Sequence, residues 1–168
     1  MKEEILKLIN NLDLRPHPEG GYFKETYRSS DIITEDNLND NFQGDRNFST
    51  AIYFLLTSDS FSAFHRINQD EFWHFYKGSS IKLHIISDDG IYSVITIGNN
   101  LETGEVPQFV VPAKHWFAAE VIKNDSYSLI GCTVSPGFDF KDFELAERSQ
   151  LISEFPNHKT EISRLTRK

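Results

Sequence analysis

The run Ser62-Ala63-Phe64-His65-Arg66-Ile67, followed after a short break by Glu71-Phe72-Trp73-His74-Phe75-Tyr76-Lys77-Gly78, decides the fold. In an extended chain successive side chains point to opposite faces, so Glu71, Trp73 and Phe75 share one side and Phe72, His74 and Tyr76 share the other. Aromatic and β-branched residues at this density favour strands, and Lys77-Gly78 supplies a turn. Similar runs lie on both sides: Ser49 to Leu56 before it, and Ile81 to Ser87, Ile91 to Ile97, Gln108 to Val111, His115 to Val121 and Tyr127 to Ser135 after it. Turn signals separate them, among them Asp88-Asp89-Gly90, Gly98-Asn99-Asn100 and Asn124-Asp125. Short strands at regular spacing, with no helical period between them, predict an all-β antiparallel sandwich or barrel.

The flanks differ. Ile5, Leu8, Ile9 and Leu12 repeat at i, i+3, i+4 and i+7, which predicts a short amphipathic helix over Lys2 to Leu12. Arg15-Pro16-His17-Pro18-Glu19-Gly20-Gly21 cannot continue it, and Tyr22 to Arg28 alternates as a further strand. The glycines of Glu19-Gly20-Gly21 read as a backbone device permitting positive φ, not as a phosphate cradle. Residues 30 to 47 are polar with few apolar anchors and predict a long surface loop of the lid or partner-surface kind. At the far end, Glu147 to Phe155 is a predicted helix stopped by Pro156, with a second around His158 to Leu165.

Composition bounds the function. The 168 residues suit one domain, 1–168, able to bury about two-thirds of its unfolded surface. Asp and Glu total 25 against 17 Lys and Arg, a net charge of −8, which argues against nucleic acid or an anionic membrane as partner. Cys132 is the single cysteine, so no internal disulfide forms; it alternates with Ile130 and Val134 and is read as a buried apolar residue. The acidic opening Met-Lys-Glu-Glu lacks the apolar stretch of a signal peptide, and no apolar run reaches membrane-span length. The expectation is a cytoplasmic protein.

The spacing His65, Glu71, Gly78 resembles the first motif of the cupin superfamily, which in metal-binding members reads H-x-H-x(3,4)-E-x6-G. The second histidine slot holds Ile67. Pro112-Ala113-Lys114-His115-Trp116-Phe117 stands in the register of the second motif, P-x-G-x-x-H, with Phe117 in the ligand slot. His115 lies two residues early, about 7 Å along a strand, which is large against a metal–nitrogen bond of about 2 Å. The resemblance therefore comes without its metal set: no metal and no cofactor are expected. Longer motifs resemble an uncharacterised cupin-type family, the fifth cupin family: Pro16-His17-Pro18-Glu19-Gly20-Gly21-Tyr22 at the start and Pro136-Gly137-Phe138-Asp139-Phe140 at the end. Relatives commonly carry Gln where this chain has Phe117. The resemblance implies a cupin jelly-roll barrel with a pocket inside, similar to the rhamnose-pathway sugar-nucleotide epimerases, and a homodimer whose N-terminal strand Tyr22 to Arg28 adds to the partner's sheet.

A histidine and a carboxylate in one enclosed pocket is an arrangement that general acid–base chemistry uses. His65 is the candidate base, with Glu71 or Tyr53 orienting it or supplying a proton. A Glu in such a pocket is expected to have a raised pKa unless His65 or an arginine pairs with it. Trp73, Phe75 and Phe117 are candidate pocket walls, with core filling as the alternative for Trp73; Phe138 and Asp139 are candidates for the rim. The negative charge counts against a nucleotide substrate unless Arg66, Lys82 or Arg28 lies near the mouth, and Arg66 is taken as a substrate contact. These residues fit a metal-independent isomerase or epimerase acting on a sugar or related polar metabolite. Two other readings stay open: a non-catalytic ligand-binding or interaction module, and a metal-dependent cupin oxygenase or lyase.

Overall fold

The computed structural model describes residues 2–167. In chain order the strands are β1 Arg15–Pro16, β2 Tyr22–Arg28, β3 Ile32–Ile33, β4 Arg46–Asn47, β5 Thr50–Thr57, β6 Phe61–Arg66, β7 Asp70–Gly78, β8 Ile81–Ile86, β9 Tyr92–Ile97, β10 Gln108–Val111, β11 Trp116–Val121, β12 Tyr127–Ser135 and β13 Glu144–Leu145. The helices are α1 Lys2–Asn11, α2 Arg148–Glu154 and α3 Lys159–Arg164. The strand pairings are antiparallel and form two facing sheets, β1-β2-β5-β12-β7-β10 and β13-β6-β11-β8-β9, plus the small β3-β4 hairpin. This is the antiparallel sandwich that the alternating runs predict, in the jelly-roll form that the resemblance implies.

Alternation along β5 sets the architecture. Phe54 and Leu56 point between the sheets and join Trp73, Leu83, Phe117 and Ile130 in the main core. Tyr53 and Leu55 point outward, where Leu8 and Ile9 of α1, with Leu12 just after it, cover them. The outer face of the second sheet is covered more fully: Leu151 of α2 and Ile162 of α3 are buried against Phe64, Trp116 and Ala118. Each fully buried side chain of this kind stabilises by about 1.5–3 kcal/mol. No residue of α1 is fully buried, so the C-terminal helices are the more tightly bound.

Tyr22–Arg28 pairs with β5 within its own chain, from Tyr22 opposite Leu55 to Arg28 opposite Thr50. One expectation is corrected. The 30–47 segment is pinned rather than lid-like. Arg46 and Asp142 form a buried ion pair at 2.7 Å with side chains only 2% and 1% exposed. Phe42 is buried beside the guanidinium, 5.5 Å from ring centroid to Arg46 Cζ. The chain's last described residue also ties back: Arg167 donates through Nη2 to the Glu19 carbonyl at 2.9 Å and the Phe61 carbonyl at 2.6 Å. Gly20 makes this possible, because a Cβ there would stand 2.1 Å from that Nη2, and its φ of 118° suits only glycine.

Candidate functional site

The space between the sheets holds a packed core and, beside it, a cavity of about 310 Å³. Its floor comes from inward positions of β2, β5, β7 and β12, namely Phe23, Ile52, Phe54, Glu71 and Val134. His65 and Ile67 enter from the second sheet's side, and Phe138, Asp139, Phe140 and Phe143 close the front. Three of these phenylalanines stand edge-on to one another: Phe138 and Phe140 at 5.1 Å, Phe140 and Phe143 at 6.1 Å, Phe138 and Phe143 at 6.4 Å.

The polar centre is Glu19, reached from the loop that the two prolines and two glycines force out of α1's path. Its Oε2 lies 3.1 Å from His65 Nε2 and 3.3 Å from His17 Nδ1, and Oε1 accepts from Ser62 Oγ at 2.8 Å. Burial raises the Glu19 pKa, but His65 and His17 outweigh it and hold the carboxyl below its ordinary range. Burial lowers the pKa of His65 against the pull of Glu19. The contacts nonetheless place one proton in this pair. His65 Nδ1 lies 2.7 Å from the Ala63 carbonyl, which only accepts, so Nδ1 must donate. Nε2 then faces Glu19 Oε2, and without a proton between them two lone pairs would meet.

Glu71 lines the same cavity from β7. Burial first, and the Glu19 charge second, push its pKa up to about 8, weakly opposed by the neighbouring Cys132 and Trp73. Glu71 is thus largely protonated at neutral pH. Cys132, pushed well above the usual thiol range by burial and then by Glu71, stays a thiol.

Of the residues singled out from the sequence, His65, Glu71, Phe138 and Asp139 line the cavity. Tyr53 does not: Ile52 and Phe54 point in, so Tyr53 points out, edge-on to Tyr76 at 6.1 Å. Arg66 follows His65 and also points out, donating to Glu144 at 2.7 Å with its guanidinium 4.4 Å above Trp116. Trp73 shares Glu71's face but lies one pleat deeper, packed on Phe54 and Phe117 in the core, with Phe75 against the same cluster. Phe117 lies against the His65 ring, centroids 4.1 Å apart, and braces the histidine instead of facing the cavity. Arg28 does reach the lining, while Lys82 lies elsewhere.

His17 and Glu19 are the site residues that sequence reasoning missed. Their signal was the loop's own composition: a histidine and an acid inside a stretch that cannot be helix or strand. The arrangement does not suit a metal. His65 has both ring nitrogens engaged, Ile67 presents an alkyl side chain, and no cluster of three His, Cys, Asp or Glu among the described residues is arranged to hold an ion.

Comparison with known proteins identifies the family and the fold. Residues 6–146 match the family described as Cupin superfamily (DUF985). A solved hypothetical protein from Leishmania major is 34% identical, covering 96% of this chain and 97% of its own, with a TM-score of 0.87. A solved protein from Shewanella oneidensis is 37% identical, covers 96% of each chain and also has a TM-score of 0.87. An uncharacterised protein of Saccharomyces cerevisiae is 36% identical over 147 residues, 82% of this chain and 73% of its own. Oxalate decarboxylase of Bacillus subtilis shares the fold alone, at 17% identity and a TM-score of 0.54 over 91% of this chain and 37% of that one.

Proposed function

The chain belongs to the DUF985 family of the cupin superfamily, and from that premise we propose that it is a metal-independent isomerase moving a proton next to the carbonyl of a small metabolite. The observation that carries this is the sharing of one cavity by Glu71, with a pKa of about 8, and the proton-holding Glu19–His65 pair. A general base works best with a pKa near the working pH. The roles expected from the sequence are exchanged: both His65 nitrogens are engaged, and Glu71 is the poised base. In the step, ionised Glu71 takes the proton from carbon, the C–H electron pair forms the carbon–carbon double bond and the carbonyl π pair moves onto oxygen. That oxygen takes the proton held by the Glu19–His65 pair, giving the enol, and the reverse transfers, with Glu71 returning its proton to the neighbouring carbon, complete the exchange. A cavity of about 310 Å³ lies at the small end of the roughly 300–1,000 Å³ range of ligand pockets, which favours a small metabolite over the sugar nucleotide suggested by the sequence resemblance.

The test is deuterium uptake by small hydroxyketones and cyclic diketones in heavy water, followed by proton NMR. Exchange catalysed by the wild type, rising with pH toward 8 and falling about a hundredfold in Glu71→Gln, supports the reading. Absence of catalysed exchange across the panel would favour a binding module, the reading that the fully engaged His65 supports.

We further propose a homodimer in the cytoplasm. Phe72 and Tyr76 stand exposed on the outer face of the first sheet, beyond the part covered by α1, and the lone Cys132 is buried. A monomer by light scattering at micromolar concentration counts against the dimer.

A further inference from the structure

We infer that the cavity is built for an uncharged, flat-ringed molecule of roughly ten heavy atoms, an aromatic or unsaturated alicyclic compound, in place of a sugar, a phosphate ester or a carboxylate. The inference rests on the reading of this cavity as the working site.

Size comes first. At about 30 Å³ for each water molecule, 310 Å³ holds roughly ten waters or a single small ring with one substituent. Wall chemistry comes second. Phe23, Phe54, Phe138, Phe140 and Phe143 supply five rings to the lining. The three at the front meet at 70–80° to one another and so present both faces and edges, which suits stacking of an inserted ring.

Charge decides the rest. Arg28 is the only lysine or arginine in the lining among the described residues, and it is taken. Its Nε and Nη2 hold Glu25 at 3.0 and 2.7 Å, Nη1 donates to Asn47 at 2.8 Å and Nη2 also reaches the Phe138 carbonyl. An anion would find no free cation, and would meet the Glu19 charge that helps keep the proton on Glu71. Three of the lining carboxyls are occupied: Glu25 serves Arg28, Glu19 serves two histidines and Ser62, and Glu71 carries its proton. Asp139 accepts from the Lys141 amide at 2.9 Å through Oδ1 and keeps an open oxygen at the front of the cavity. A cation would therefore find its one open carboxylate at the front, away from the Glu71 end. Thr50 Oγ1 accepts from the Phe138 amide at 2.9 Å and keeps one hydroxyl proton to donate. The many hydroxyls of a sugar would go unpaired, each costing about 1–3 kcal/mol. What stays open is an apolar ring slot with few polar groups: Glu71, the proton held between Glu19 and His65, and the Thr50 hydroxyl.

Three compounds of one shape isolate the charge: benzamide, benzoate and benzamidine, titrated at pH 7 by calorimetry and ligand-observed NMR, with glucose and inorganic phosphate alongside. Benzamide should bind saturably at one site, at least tenfold more tightly than benzoate or benzamidine, with no binding of glucose or phosphate. Phe140 is 55% exposed, so Phe140→Ala should fold normally while weakening benzamide about fivefold. Tighter binding of benzoate, benzamidine, phosphate or glucose overturns the ligand class while leaving the proton-transfer reading to its exchange assay. If none of the five binds at millimolar concentration, the ring-slot inference falls. If benzamide binds as expected but no carbonyl compound exchanges deuterium, the inference stands and the isomerase reading falls.

Discussion

Two buried charge clusters stand close together in this molecule and have opposite characters. Arg46 and Asp142 are saturated: the guanidinium gives Nε and Nη2 to the carboxylate at 2.8 and 2.7 Å and Nη1 to the carbonyls of Gln43, Gly44 and Asp45 at 2.9 Å each. Gln69 adds a further donor to Asp142 at 2.8 Å. Such a pair has no capacity left for a ligand, and it holds the segment from which Phe140 and Phe143 face the cavity. Glu19, His65 and Glu71 also lie buried, but two carboxyls compete across one space with a single shared proton between Glu19 and His65. Saturation marks the cluster that maintains shape; unresolved proton competition marks the cluster able to do chemistry.

Breaking the saturated pair should give the largest effect. Arg46→Met leaves Asp142 charged and buried, and is expected to cost about 3–5 kcal/mol in urea unfolding. A loss below about 1 kcal/mol would remove the contrast between the clusters. Glu71→Gln should act in the other direction. The folded pKa of about 8 lies above the ordinary 4.5, so the folded protein keeps a proton that the unfolded chain releases. The stability tied to this proton is fully present below pH 4.5 and is lost as pH rises toward 8, by an amount on the order of a few kcal/mol. The variant should flatten that slope and be the more stable protein at pH 8 and above. An unchanged slope would show that Glu71 is ionised and paired. His65→Asn is smaller, about 1–3 kcal/mol of destabilisation in the same assay, because Glu19 keeps Ser62 and His17. Arg66→Ala removes a surface ion pair and should cost below about 1 kcal/mol, with benzamide binding untouched.

The strands were legible because period-two alternation is a local property. Tyr22 to Arg28, Gln108 to Val111 and Tyr127 to Ser135 run in the structure over the predicted spans. The two-residue strands β1, β3, β4 and β13 left no such signature, being defined by their partners alone. Alternation also carried the face of Glu71 correctly but not its depth: Trp73 shares that face and is core, because the cavity does not extend along the whole strand. The same rule excludes Tyr53, since its neighbours Ile52 and Phe54 point in. Glu19 was not legible as a site residue, and neither was the Arg46 anchor of the long loop. Each is defined by a partner far along the chain, Ser62 at 43 residues and Asp142 at 96.

The tie between Arg167 and the Glu19 carbonyl offers a practical handle. Nη2 of Arg167 touches the main chain directly behind the carboxylate at the centre of the cavity, and its guanidinium lies 4.1 Å over the Phe61 ring. A fluorophore attached near Phe61, under this guanidinium, would stand behind the Glu19 main chain and outside the cavity lining. Its emission would register any shift of the Glu19 loop as a molecule enters, giving an optical readout for screening compounds before any turnover assay exists.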